Sequence, residues 1–242
     1  MKNRSDSTVS GSKLIVADIA GSIVAWGPGA ITWMIAISYI RCIWDESAFA
    51  PLLLLLPPIA AFSIIAVTFL FRICLPRLKP GVYEVDSFAI KAWYLNFNLT
   101  NSLNVSGLMP LIYTTYLTKW LYCRAMGAQI AYGVHFSIYT KFREFQLIKI
   151  GRGSSLSAGT HIACHTHVGN KLLLGTVEIG ERCFIGMDSI VGPKTKMGDD
   201  CWIGFNNRIL MDRIESGTKI DNLEWSLGSP AKRKADAEAP KS

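Results

Sequence analysis

Through the second half of this chain an apolar residue returns at every sixth position. Ile179, Ile185, Val191, Met197, Ile203 and Ile209 form one unbroken series. Ile150, Leu156, Ile162 and Val168 form a second, and Ile130, Phe136 and Phe142 a third. The residue after the anchor is repeatedly glycine, as at Gly151, Gly180, Gly186, Gly192, Gly198 and Gly204. Four places after it stands a small residue: Ser154, Thr160, Thr166, Cys183, Ser189, Thr195 or Cys201. Neither an α-helix nor an ordinary strand repeats every six residues. An internal period of six signals a parallel β-helix, in which each hexad supplies one short strand and a turn. The anchor then fills the interior, the small residue points inward where the chain bends, and glycine serves the turn, where a positive φ costs it little.

The first half is of another kind. Half of the 242 residues are hydrophobic, and the mean hydropathy is positive, +0.28. An ordinary soluble domain is rarely so apolar. Residues 14–40 are apolar except for Asp18 and small polar residues, and Ile19 to Ile40 is long enough to cross a bilayer core. Gly27, Pro28 and Gly29 near its centre predict a kink. A second apolar run, Ala48–Phe71, contains Pro57 and Pro58, which membrane helices tolerate. The short loop "RCIWDES" makes the two runs a helical hairpin, either spanning or re-entrant. The run is too long, and too soon followed by another, for a cleaved signal peptide.

Charge predicts the orientation. Lys2, Arg4 and Lys13 precede the hairpin, Arg72, Arg77 and Lys79 follow it, and the intervening loop holds only Arg41. Both ends therefore face the cytoplasm, with the remainder of the chain on the cytoplasmic side of the inner membrane. The six cysteines show no CxxC and no dense cluster, which fits a reducing compartment. The formal charge of +7 reads as attraction to anionic lipid. No basic reading module accompanies it, so no nucleic-acid partner is expected.

Between hairpin and hexads, aromatics cluster at Phe88, Trp93, Tyr94 and Phe97 and again at Tyr113, Tyr116, Trp120 and Tyr122, with Gly107 and Pro110 between them. Amphipathic helices at the membrane interface fit this pattern, and so do helices whose aromatics pack against the following domain. The expected organisation is a tail (1–12), a transmembrane helical hairpin (13–78), amphipathic interfacial helices (79–127), a β-helix (128–230) and a basic tail (231–242).

Three of the four histidines lie in "HIACHTHVGN", at His161, His165 and His167. In the hexad frame all three face outward. Immediately beyond them the beat fails: "GNKLLLGTVE" does not fit between Val168 and Ile179. A break of this kind predicts a loop pushed out of the coil, and such loops build sites. The cluster admits three readings: a catalytic base, surface histidines without chemistry, or a metal site. His135 also faces outward.

The segments "GVYEVDSFAIKAWYL", "RAMGAQI", "IKIGRGSSLSAGTHIACH", "KLLLGTVEIGERCFIGMDSIVGPKTKMGDDCWIG" and "WSLGSPAKRK" resemble, in that order, a membrane-associated acyltransferase-like module. That module is the terminal domain of some nonribosomal peptide synthetase proteins. The hexads and the closing "GSPAK" are shared across the hexapeptide-repeat acyltransferases, and the resemblance covers roughly residues 81–234. It implies a mainly β fold, a left-handed parallel β-helix preceded by the helical hairpin and interfacial helices. Three hexads would close one triangular coil, which stacks Cys183 on Cys201 as small buried thiols.

The resemblance also implies a function: transfer of an acyl group from acetyl-CoA or another acyl-CoA to a hydroxyl or amine. A histidine just before the extruded loop is the general base in that family, and His165 aligns with it. His161, His167 and Asn170 would be its neighbours. An imidazole, which ordinarily titrates near ~6.5, suits proton abstraction at neutral pH. The pantetheine arm would lie between subunits of a homotrimer, with Lys194, Lys196, Trp202, Arg208 and Lys232 as candidate donor-binding residues. Trp202 and Trp225 are the aromatics available to stack on adenine, and packing is the simpler role for each. No metal is expected: some β-helix proteins bind zinc through three histidines, but those ligands come from different coils. The anchor suggests contact with membrane lipid and an acceptor that is lipid-linked or made at the membrane. The chain shows no adenylation or carrier domain, so the synthetases' acceptor is not carried over. The competing readings are a non-catalytic membrane scaffold and a zinc hydratase.

Overall fold

The computed structural model describes residues 11–222 and the strand at 225–227, with side-chain surroundings from residue 15 to 222. Lys232 and most of both tails lie outside the described residues.

The chain opens with α1 (Gly11–Ile43), followed by α2 (Phe49–Leu53) and α3 (Leu56–Cys74). Two stretches, Ile15–Ile43 and Phe49–Cys74, are long and apolar enough to cross a membrane. Helix α1 continues through Pro28. Its glycines admit neighbours: a Cβ at Gly27 would meet the Phe71 ring at 2.7 Å, and one at Gly29 the Ser106 Cβ at 2.5 Å. Pro57 and Pro58 do not distort a continuous helix. They fall in the first turn of α3, where a missing N–H costs no intrahelical bond.

A short strand, β1 (Gly81–Glu84), precedes α4 (Phe88–Val105), α5 (Met109–Tyr113) and α6 (Tyr116–Ala125). The strand was not anticipated in a segment read as helical. Helix α4 lies lengthwise along α1: Tyr94 donates to Asp18 Oδ1 at 3.2 Å, and Trp33 Nε1 donates to the Ser106 carbonyl at 3.0 Å. Gly107, at φ +72°, ends α4, and Pro110 sits in the first turn of α5.

The rest is a parallel β-solenoid of about five turns with three flat faces. The first face stacks β2 (Gln129–Ile130), β5 (Ile148–Ile150), β10 (Val177–Ile179), β13 (Thr195–Met197) and β16 (Arg213–Ile214). The second stacks β3 (His135–Phe136), β6 (Ser155–Leu156), β11 (Phe184–Ile185), β14 (Trp202–Ile203) and β17 (Lys219–Ile220). The third stacks β4 (Lys141–Phe142), β7 (His161–Ile162), β12 (Ile190–Val191), β15 (Arg208–Leu210) and β18 (Trp225–Leu227). Anchors pair with anchors, Ile185 with Ile203 and Val191 with Ile209, so one turn is three hexads. Leu156, Ile162, Ile185, Val191, Ile203 and Ile209 are fully buried. Cys183 and Cys201 are buried free thiols at successive corners, joined by the Phe184 N–H donating to the Cys201 carbonyl at 2.8 Å.

The glycines after the anchors do different work from that expected. None of them has a positive φ; the left-handed corner positions belong to Gly133, Gly153, Gly159 and Gly217 and to side-chain-bearing residues such as Arg182, Asp188 and Lys194. Gly151 is needed for close stacking, because a Cβ there would lie 2.6 Å from the Gly180 carbonyl carbon and oxygen on the next coil.

Candidate active site

The beat fails one hexad earlier than the sequence indicates: Val168, expected as an interior anchor, is 51% exposed, and it lies with Thr166 on a hairpin pushed out after Ile162. Strand β8 (His165–Val168) turns back through Gly169 and Asn170 into β9 (Lys171–Leu174). Gly169, at φ +60°, takes the first central position of a two-residue turn, where glycine is favoured. The hairpin edge pairs with β1, Gly81 opposite Leu174 and Glu84 opposite Lys171, so the chain leaving α3 is sewn to the extruded loop. At the hairpin base, the Gly175 N–H donates to the Cys164 carbonyl at 2.8 Å.

Alternation along β8 puts His165 and His167 on one side, their ring centroids 6.4 Å apart. His167 and Asn170 are exposed, whereas His165 is sheltered under α4. His165 packs against Trp93, with centroids 5.1 Å apart, and meets the edge of Phe97 at 6.4 Å. His165 Nδ1 lies 2.8 Å from Glu144 Oε1, in a contact too bent for a well-aligned hydrogen bond. The Glu144 side chain is 1% exposed. Its oxygens accept from Trp93 Nε1 at 2.8 Å and from the Cys164 N–H at 3.0 Å. A buried carboxylate so held is a fixed negative charge beside the imidazole.

Glu144 is the residue that sequence reasoning missed. It adopts φ +52°, in the left-handed region that disfavours side chains. A single 3-10 turn, Phe145–Leu147, follows. This stretch holds the two extra residues that delay the next anchor from Phe142 to Ile150, a second failure of the beat that was open to the same interpretation as the first.

His161 lies on the third face, partly covered, with its Nε2 buried and unpartnered. Burial, followed by the nearby Arg143 and Lys141 cations, holds its pKa below the ordinary histidine value. Arg143 itself rests over the Phe97 ring at 4.5 Å and donates to Asn101 Oδ1 at 2.8 Å. Trp93, Phe97 and Asn101 thus form one stripe of α4 at helical spacing, roofing Glu144, His165 and Arg143 in turn. Among the described residues no three His, Cys, Asp or Glu side chains converge as a metal cage. His135 stands apart on the second face, 2.9 Å from the Tyr116 hydroxyl.

The other anticipated site residues are dispersed. Lys194 occupies the corner beneath the hairpin base, where a Cβ at Gly175 would meet its Cγ at 2.7 Å. Arg208 belongs to the third face, paired in register with Ile190, which pairs in turn with His161. Lys196 is on the first face, 3.6 Å from Glu178 Oε2. Trp202 is on the second, stacked on Phe184 at 5.8 Å with Lys219 over it. A single chain therefore brings Lys194 and Arg208 to the histidine side and leaves Lys196 and Trp202 on the other two. Trp225 opens β18 and pairs in register with Arg208.

No family model matches this chain. The delta-poly-L-ornithine synthetase of Acinetobacter baumannii is 27% identical over 161 residues, which are 66% of this chain and 11% of that protein. The chain thus spans about a tenth of the length of that curated relative. Among solved structures, a maltose O-acetyltransferase from Clostridium difficile matches 60% of this chain and 89% of its own, at 16% identity and a TM-score of 0.43. A hexapeptide-repeat acetyltransferase from Vibrio cholerae matches 57% and 89%, at 10% identity and 0.41. Serine acetyltransferase isoform 3 from Entamoeba histolytica matches 87% and 76%, at 12% identity and 0.29. By its own repeat, register and extruded hairpin, the chain is a hexapeptide-repeat β-solenoid protein.

Proposed function

We propose that this protein is a membrane-anchored acyltransferase that moves an acyl group from acetyl-CoA or another acyl-CoA to a hydroxyl or amine, with His165 as general base. The observation that carries this reading is the buried Glu144 carboxylate 2.8 Å from His165 Nδ1 at the root of the extruded hairpin. With Nδ1 turned toward the carboxylate, Nε2 is the ring nitrogen left to take a proton. The acceptor O–H or N–H gives its proton to Nε2 as its heteroatom attacks the thioester carbonyl. The tetrahedral intermediate then collapses, the C–S bond breaks, and the departing CoA sulfur regains a proton. Glu144 stabilises the imidazolium that forms between these steps. A base so placed contributes about 10²–10⁴-fold.

The donor reading uses Lys194 and Arg208 from the hairpin side of one subunit and Lys196 and Trp202 from the faces of a neighbour in a homotrimer, with Lys232 as a further phosphate partner. His161, His167 and Asn170 shape the mouth of the site. The apolar helices anchor the enzyme in the membrane, with the solenoid on the cytoplasmic side.

Calorimetry of the detergent-purified protein with acetyl-CoA tests the proposal. Binding tighter than roughly millimolar supports it. No heat with acetyl-CoA, nor with longer acyl-CoA donors, leaves a membrane-tethered scaffold as the better account.

A further inference from the structure

A cavity of about 590 Å³ lies between helices α4–α6 and the corner where the second face of the solenoid turns into the third. Its apolar wall includes Leu103, Met109, Phe142 and Met187. Lys141 and Arg143 line it as cations, and Asp188 as an exposed carboxylate at its rim. Two features of this cavity point to a ligand.

The first is Arg143. Its guanidinium is half-buried, held by Asn101 Oδ1 at 2.8 Å and by the Phe97 ring at 4.5 Å. Both contacts orient the group; the neighbouring Glu144 carboxylate, turned to His165, Trp93 and Cys164, acts on it through space without forming an ion pair with it. A partly desolvated, positioned guanidinium is the group best suited to bind a carboxylate or phosphate through two hydrogen bonds. It also rests on the same Phe97 ring as His165, which puts a bound anion within one substrate's length of the base.

The second is where the apolar wall comes from. Leu103 belongs to the C-terminal end of α4, and Met109 begins α5. That end of α4, like its N-terminal part, is fastened to α1, here through Trp33 Nε1 to the Ser106 carbonyl and the close contact of Gly29 with Ser106. Both α1 residues lie inside the apolar stretch Ile15–Ile43. The cavity is therefore walled by helices packed on a stretch long and apolar enough to cross a membrane.

We infer that this cavity binds an amphiphilic acceptor, with a carboxylate or phosphate at Arg143 and an apolar chain along Leu103, Met109, Phe142 and Met187. The word acceptor rests on the transferase reading; the binding site does not. Anchored by these two points, the acceptor presents its hydroxyl or amine past Phe97 to His165.

Binding of defined probes to the full chain in detergent tests this. Oleoyl lysophosphatidic acid and N-oleoylglycine carry the chain and a charge, monooleoylglycerol carries the chain alone, and glycerol 3-phosphate carries the charge alone. The charged amphiphiles should bind about tenfold or more tighter than monooleoylglycerol, as expected for hydrogen bonds to a charged group. Arg143→Gln should level that preference, and Arg143→Lys, a point charge without the fork, should keep part of it. Asn101→Ala, which frees Arg143 without removing it, should weaken the preference with the fold intact. Equal binding of charged and neutral amphiphiles by the wild type, or an unaltered preference in Arg143→Gln, would overturn the inference. Glycerol 3-phosphate binding as tightly as lysophosphatidic acid would overturn the apolar-chain half and point to a free, soluble anion. Acetyl-CoA binding on the same samples reports on the transferase reading separately, and His165→Ala should bind the amphiphiles as the wild type does.

Discussion

Glu144 Oε1 and His165 Nδ1 lie 2.8 Å apart, and each stands at a place where the six-residue beat fails. Glu144 lies in the excess between Phe142 and Ile150; His165 opens the hairpin that separates the buried anchors Ile162 and Ile179. The two irregularities meet on adjoining coils, since β4 and β7 are neighbours on the third face. Here two departures from regularity build one site.

Glu144→Gln keeps the shape of the carboxyl and removes its charge. Turnover should fall by about 10²-fold or more, while acetyl-CoA binding is unchanged. Glu144→Ala also leaves the Trp93 indole N–H and the Cys164 N–H without their acceptor. It should cost roughly 1–3 kcal/mol of stability for each orphaned donor. Steady-state kinetics and thermal melts in one detergent separate the two effects.

His161 gives a pH dependence of stability. Its folded pKa is depressed, chiefly by burial and then by Arg143 and Lys141. The unfolded chain therefore takes up this proton first as pH falls. The neutral-histidine contribution is complete above the ordinary value near ~6.5 and is lost progressively below it. Melting temperatures from pH 8 to about pH 5 should decline less steeply for His161→Asn than for the wild type. Parallel curves would remove His161 from the account.

Gly151 follows its anchor directly and Gly133 stands three places after Ile130, and the two are needed for different reasons. Alanine at Gly151 drives a methyl into the backbone of Gly180 on the next coil, costing about 1–3 kcal/mol or more. Alanine at Gly133, at φ +86° with open space around it, costs only the left-handed backbone term, about 1–2 kcal/mol. Denaturant titration of the two variants should rank Gly151→Ala as the more damaging.

Trp202 and His165 stand on different parts of one subunit. If the donor groove is shared between copies, a mixture of His165→Ala and Trp202→Ala chains, co-expressed, should recover activity that neither has alone. A mixed trimer then contains a site with both residues intact. No recovery, with mixed assembly verified by differential tags, would confine the site to one chain.

Much of this fold was legible because burial in a coil of fixed size imposes a fixed period. The anchors from Ile179 to Ile209 read out the core directly; the missing beat showed that a loop is extruded but placed its start too late, because Val168 keeps the period by residue type while standing exposed on the hairpin. The function of the anchor-following glycines was misread: the left-handed corner falls three places after an anchor, at Gly133, Gly153, Gly159 and Gly217, whereas the position directly after it faces the next coil. Gly151 is of the second kind. Trp93, Phe97 and Asn101 were visible only as aromatic and polar residues on a helix. Their place over the site depends on how α4 packs on α1 and the solenoid, a long-range relationship that carries no local period. Glu144 fell between these cases, since its signal, the delayed anchor at Ile150, was in the sequence and had the same form as the one that was used.

The central claim is that His165 performs proton abstraction, with donor binding independent of it. The most direct test is to measure, on the same preparation of His165→Ala, both acetyl-CoA affinity by calorimetry and acyl transfer from labelled acetyl-CoA in a membrane extract. The account predicts affinity equal to the wild type and transfer reduced by about 10²–10⁴-fold. Transfer at the wild-type rate by His165→Ala would contradict it.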